Sequence, residues 1–259
     1  MPRTVNLVYF SPTGTTRNTL TAVARGMGAT SVEDHDLTRA RAGIDLTLDD
    51  GIALIGFPVY AGRVPELFRR RIERLRADGI PAVIVALYGN RAFEDALVEM
   101  RDLCRALGFS VIAAAAFVGE HSYATPSHPI ALGRPSASDL SQAAEFGALV
   151  AASLKQGTSA EPVIPGNFPY KELPPLGGTS PETDAVRCTH CGACAKTCPT
   201  FAIEIGAAVT TREEECIKCC ACTRSCPVAA RTMNDPLVAQ RRRMLMENCS
   251  EPKKPEFFL

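Results

Sequence analysis

The chain has no tryptophan and only four histidines, and its basic and acidic residues balance at 28 each. A formal net charge of zero removes the electrostatic case for nucleic-acid binding, which rests on a positive excess facing phosphates. No apolar run reaches the roughly 20 residues needed to cross a bilayer as a helix. The strand-like Val5 to Phe10 follows the N-terminus so closely that no charged-then-apolar leader with a cleavage site fits ahead of it. The expectation is a reducing, cytoplasmic location with no membrane span and no nucleic-acid partner. Neither a nicotinamide fingerprint nor a catalytic Ser/His/Asp or Cys/His set is legible. Cysteine is almost missing from the first 180 residues, where Cys104 stands alone in an apolar helical pattern and reads as core.

The last third reverses this. Eight of the 11 cysteines form one run written twice: Cys188-x2-Cys191-x2-Cys194-x3-Cys198-Pro199, then Cys216-x2-Cys219-x2-Cys222-x3-Cys226-Pro227. Three thiolates at x2 spacing wrap one face of a cubane cluster, and the fourth, beside proline, lies too far along to close that face. It ligates the other cluster. The spacing predicts two [4Fe–4S] clusters with crossed ligation. Cys188, Cys191, Cys194 and Cys226 hold one, and Cys216, Cys219, Cys222 and Cys198 hold the other. Structural zinc prefers separated Cys pairs to triplets, and a disulfide framework requires an oxidising compartment. Cys220 falls outside the spacing and reads as a packed small residue, with an alternate ligand as the other possibility. So short a segment cannot build an adequate core by itself, so the clusters are expected to cross-link it.

Upstream the pattern is strand, helix, strand. Apolar β-type runs at Val5–Phe10, Ile52–Phe57, Ala82–Leu87 and Val111–Val118, with a weaker one at Thr30–Leu37, alternate with helical stretches. Those stretches run from about Asn18 to Met27, Pro65 to Arg76, Ala92 to Leu107 and Ser138 to Leu154. Near-continuous apolar strands separated by helices indicate a parallel sheet covered on both faces. Five strands in about 155 residues suit the doubly wound order 2-1-3-4-5, with ligands outside the carboxyl ends of the strands at the switch point. The loop there, Ser11-Pro12-Thr13-Gly14-Thr15-Thr16, carries four hydroxyls and a glycine into a helix N-terminus, a natural seat for phosphate. It lacks the Gly-Lys-[Ser/Thr] ending of a Walker A loop and the Gly-x-Gly-x-x-Gly of a dinucleotide site. Two further loops leave the same edge, Pro58-Val59-Tyr60-Ala61-Gly62-Arg63 and Tyr88-Gly89-Asn90-Arg91-Ala92-Phe93. Each brings an aromatic, a glycine and a polar donor, the equipment of a flat, hydrogen-bonding ring such as isoalloxazine. Tyr60 and Tyr88 as packing residues and Arg63 as a solvated one are the alternatives.

These three loops and the doubled cysteine run, with its Lys218-Cys219-Cys220, resemble the fused flavodoxin–ferredoxin proteins known as EFR1-type ferrodoxins, over nearly all of residues 1–232. The resemblance implies a flavodoxin-like five-stranded α/β sheet followed by a small α+β 2[4Fe–4S] ferredoxin-like domain. It implies FMN, with Ser11, Thr13, Gly14, Thr15 and Thr16 around the phosphate. The ring would then lie between Pro58, Val59, Tyr60, Gly62 and Arg63 on one side and Tyr88, Gly89, Asn90, Arg91 and Phe93 on the other. The expected organisation is an FMN-binding domain over 1–155, a Pro/Gly-rich linker over 156–183, the cluster domain over 184–233, and a helix and tail over 234–259. Phe168 and Tyr170 are candidate anchors for the linker, and the terminal Phe257-Phe258-Leu259 is apolar enough to dock. The long loop 119–136 is expected against the flavin or the cluster domain. Its His121 and His128 read as solvated, with proton donation to reduced flavin as the alternative. The functional expectation is an electron carrier docking transiently with donor and acceptor oxidoreductases. The alternatives are an FMN-dependent reductase of a small acceptor, fed by the clusters, and a redox or oxygen sensor.

Overall fold

A computed structural model describes residues 4–157, 160–173 and 178–259. Pro174, Pro175 and Gly177 of the expected linker lie outside the described residues. The α/β part runs β1 (Thr4–Tyr9), α1 (Thr15–Gly26), β2 (Ser31–Asp36), β3 (Leu46–Leu48), β4 (Ile52–Pro58), α2 (Glu66–Ile72), β5 (Leu75–Ala77), β6 (Pro81–Tyr88), α3 (Ala96–Ala106), β7 (Ser110–Val118) and α4 (Ala137–Gln156). The cysteine-rich part follows as β8 (Glu182–Thr183), α5 (Ala193–Thr197), β9 (Ile203–Ile205), β10 (Val209–Thr211), α6 (Ala221–Arg224), β11 (Arg231–Thr232), α7 (Pro236–Asn248) and β12 (Glu256–Phe258).

The main sheet has the order β12-β7-β6-β4-β1-β2. Its five parallel strands, numbered by their place in the sheet, follow the flavodoxin-like order 2-1-3-4-5. Alternate residues point to opposite faces of a strand, and the buried clusters divide accordingly. Leu7 and Tyr9 join Leu20, Val23, Phe146 and Val150 under α1 and α4. Val8 and Phe10 join Phe68, Ile72, Met100 and Cys104 under α2 and α3. Cys104 is therefore core, fully buried.

Two differences from the expected elements are instructive. The helix after β4 stops at Ile72 rather than Arg76. Leu75, fully buried, instead leads a short strand that pairs in parallel with β3. The sheet also has six strands where five were expected, because the tail returns as β12 and pairs antiparallel with β7. Phe257 packs on Phe117 and Phe146, and Phe258 meets Phe93 edge-on. An apolar C-terminus thus covers what would be an open edge strand. Within the linker, Tyr170 packs on the core and donates its hydroxyl to Asp102 at 2.6 Å. Phe168 stays exposed.

Candidate functional site

The cysteines gather around two cavities. Cys188, Cys191, Cys194 and Cys226 line one, with about 310 Å³ of space free of protein atoms, its open mouth included. Cys198, Cys216, Cys219 and Cys222 line the other, with Cys220 beside them and about 330 Å³ of such space. The chain crosses over between them: the fourth cysteine of each run stands with the first three of the other. Among the described residues no group of three or more His, Cys, Asp or Glu is arranged to hold a single metal ion. Thiols ringing a space suit a polynuclear cluster, in which each ligand binds a different corner.

Local backbone explains the arrangement. Within the runs the chain turns through left-handed residues, His190 and Gly192 in the first, Lys218 and Cys220 in the second. These turns let cysteines three apart face one space. Gly192 and Cys220 then cap the short helices α5 and α6. Thr197 and Ser225 join the helices through their hydroxyls at 3.0 Å. Cys220 packs beside Met233, Val238 and Tyr123 and also lines the second cavity, so both of its expected roles have a contact behind them.

Burial pushes the thiols of Cys194, Cys216, Cys219 and Cys222 up, and that of Cys220 up to about 12. Desolvation acts upward on Cys226 too, but N–H groups of Ala230, Val228 and Arg231 bring it below its ordinary value. Buried thiols become thiolates when a cationic centre supplies the missing counter-charge, and binding then releases protons. The donor set therefore fits iron–sulfur ligation.

At the sheet edge, α1 starts without a side-chain cap, and Gly14 precedes it at φ 81° in the left-handed region. Thr16 Oγ1 is one of two buried side-chain polar atoms without a hydrogen-bond partner among the described residues. The Ser11 hydroxyl accepts from Arg17 N at 3.1 Å, and Thr13 and Thr15 hydroxyls lie 3.4 Å apart. An uncapped helix end beside an orphaned buried hydroxyl fits an anionic group.

The two ring loops are put to other uses. Arg63 donates to both Glu99 oxygens and to the Lys171 carbonyl, and stacks over Tyr170, so it clamps the linker. Asn90 donates to the Cys249 and Glu251 carbonyls and accepts from Lys253 N, so it holds the tail. Arg91 pairs with Glu94, and Phe93 packs between Tyr88 and Phe258. Tyr88 is buried, and burial lifts its hydroxyl to about 12. Val59 N donates to Leu87 O, and Tyr60 pairs with Arg63 across the turn that Gly62 completes beside the half-buried Pro58. Gly89 lies so close to the His121 ring that a Cβ there would collide with it. The sequence alone could not show this: donors to a ring and donors to a returning tail are the same residue types.

The cysteine-rich part docks on this edge through its second cavity. Arg71, buried, donates to the Leu37 and Thr38 carbonyls and to Pro199 O at 2.7 Å. Arg39 and Arg41 both cover the Phe201 ring. Ile217, lining the second cavity, packs on the sheet's core. Desolvation raises the Tyr60 hydroxyl well above its usual value, and the nearby Cys219 and Cys220 add to the rise. The loop 119–136 makes the rest of the contact. Arg224 pairs with Glu120 and donates to His121 O, while Arg242 donates to Tyr123 O. His121 is not a solvated loop residue. Burial, with Arg224, Arg91 and Arg242 nearby, lowers its pKa to about 4, and its Nδ1 accepts from Tyr123 N. His128 stays local, with Thr125 and Ser127 around its ring.

Residues 181–204, which hold the whole first cysteine run, match the family described as 4Fe-4S binding domain. The chain joins a flavodoxin-like α/β unit to a 4Fe–4S ferredoxin-like segment. Similar solved structures include an archaeal flavodoxin, 14% identical, covering 59% of this chain and 99% of that one, with a TM-score of 0.38. Another is the Streptococcus pneumonia TIGR4 flavodoxin, 16% identical, covering 58% and 99%, with a TM-score of 0.40. A third is the rubredoxin oxygen:oxidoreductase of Desulfovibrio gigas, 13% identical, covering 61% and 37%, with a TM-score of 0.37. The strand order, not these likenesses, defines the fold. No curated relative matches the sequence. No helix of the described residues is long and apolar enough to cross a membrane.

Proposed function

We propose that this chain is an electron carrier holding FMN at the edge of its sheet and two [4Fe–4S] clusters in its cysteine cavities. It would pass low-potential electrons between partner oxidoreductases of a reducing, cytoplasmic compartment by transient docking. The observation that supports this reading most is the crossed pairing of the cysteines around two separate spaces, one of which packs on the sheet edge. When bound, a flavin exchanges electrons in pairs or singly and each cluster exchanges one at a time.

The chain's own part is placement. Ser11, Thr13, Gly14, Thr15 and Thr16 would hold the phosphate, with the orphaned Thr16 hydroxyl as its buried donor. Tyr60 is the ring-loop side chain left for the flavin, while Gly62 and Gly89 pack against Glu94 and His121, and Arg63, Asn90, Arg91 and Phe93 hold the linker and tail in place. Cys198, Cys216, Cys219 and Cys222 would hold the cluster nearer the sheet. Cys188, Cys191, Cys194 and Cys226 would hold the outer one, where the exposed Cys191 marks the side open to a partner. The proposed units are 1–155 and 184–233, joined by 156–183, with the tail 234–259 returning to the sheet.

Anaerobic purification with iron, sulfide and flavin analysis tests this. About eight iron, eight sulfide and one FMN per chain are expected for two four-iron clusters and one flavin. Four iron per chain, or no flavin, would refute the relay as stated.

A further inference from the structure

The two cysteine runs are related by one offset, 28 residues, which carries Cys188 to Cys216 and Cys198 to Cys226. The structure obeys the same offset beyond the cysteines: Thr197 meets its counterpart Ser225, and Ile203 and Arg231 each open a short strand. Ile203 lines the second cavity and Arg231 the first. The internal symmetry thus puts a guanidinium, 4% exposed, where the other half has a buried isoleucine.

Arg231 reaches both sites. It lines the first cavity, and its Nη2 lies 3.8 Å from Sγ of Cys222, a lining residue of the second. Its other hydrogen bonds go to the hydroxyls of Thr183 at 2.7 Å and Thr211 at 2.8 Å, neither of them a carboxylate. Its Nε has no partner among the described residues. A guanidinium stays charged under all ordinary conditions, and a buried charge without a counter-ion is strongly unfavourable. A sequence that keeps one here has something anionic to set against it.

Resting on the two-cluster reading above, we propose that Arg231 is the shared counter-charge of both clusters, a positioning residue that raises their reduction potentials. Reduction adds one electron to a cluster and breaks no bond. A cation beside both cavities would stabilise the added negative charge at either one. Thr183 and Thr211 orient the guanidinium without neutralising it.

The test uses the full chain, loaded anaerobically, with Arg231→Ile, Arg231→Gln and Arg231→Lys beside the parent. Iron and sulfide are counted first. A parent without two clusters overturns the two-cluster reading itself, independently of Arg231. With loading established, EPR-monitored redox titration gives the midpoint of each cluster. In R231I, and in R231Q should R231I fail to load, both midpoints fall. Each reduction constant drops about tenfold, about 59 mV for one electron. R231K, which keeps the charge, stays near the parent. Midpoints unchanged in a loaded R231I or R231Q overturn the proposal, and so does a shift confined to one cluster or an equal fall in R231K.

Discussion

The sheet and the cysteine-rich segment hold themselves together by different means. The sheet buries Phe10, Phe57, Phe68, Phe117 and Phe146 between strands and four helices, so its stability comes from apolar surface removed from water. The segment's own buried cluster is three cysteines, Cys194, Cys198 and Cys222, with Ala202, Ile203 and Val209. Half of that cluster is thiol rather than hydrocarbon. An apolar core is complete when the chain collapses, whereas a core of thiols is complete only when a cation is shared among them.

Removing iron should break the comparison most sharply. Chelation, or Cys219→Ser, is expected to abolish hydrogen-exchange protection across residues 184–233 while β1, β4, β6 and β7 keep theirs. Equal loss in both regions would show that the sheet depends on the bound iron as well. Next in size is Phe257→Ala, which empties the contact with Phe117 and Phe146. Phe257 is only partly buried, so a loss of about 2 kcal/mol in denaturant unfolding is expected, below the full core value. It should fall on the sheet and leave iron content unchanged.

The pH dependence probes the interface. His121 is held near pKa 4 against its usual 6.5, because burial disfavours the charged ring. The folded form thus refuses a proton that the unfolded chain takes up below pH 6.5, and stability falls as pH drops from 6.5 towards 4. His121→Asn should flatten that slope in pH-dependent unfolding; an unaltered slope would locate the effect elsewhere. The smallest effect is expected from Arg224→Ala, which removes a partly exposed ion pair with Glu120 and a hydrogen bond to His121 O. About 1 kcal/mol is reasonable for such a pair, read as weaker protection of residues 120–124 with both regions otherwise folded.

Much of the architecture is legible in residue order because its signals are local. Apolar runs separated by helical periodicity specify a parallel sheet. The x2-x2-x3 spacing ending in proline specifies which cysteines can face one space. The ring loops were less legible. Arg63, Asn90 and Arg91 have the chemistry of a flavin slot, yet each is taken by the linker, the tail or Glu94. Those partners come from up to 163 residues away, between Asn90 and Lys253. His121 reads as solvated in the sequence because nothing there fixes its geometry; the fold sets its ring against Gly89 and Tyr123 and gives its carbonyl to Arg224.

The sequence by itself determined the alternation of apolar strands with helices, the hydroxyl-rich loop before α1 and the spacing of the eight cysteines, since each depends on residues close together in the chain. Tertiary structure alone decided that the Cys198, Cys216, Cys219 and Cys222 cavity faces the sheet and that the tail closes it as a sixth strand. It alone also set Arg231 between the two cavities. Each of these depends on surfaces brought together after the local elements form, and no short-range pattern encodes which surfaces will meet.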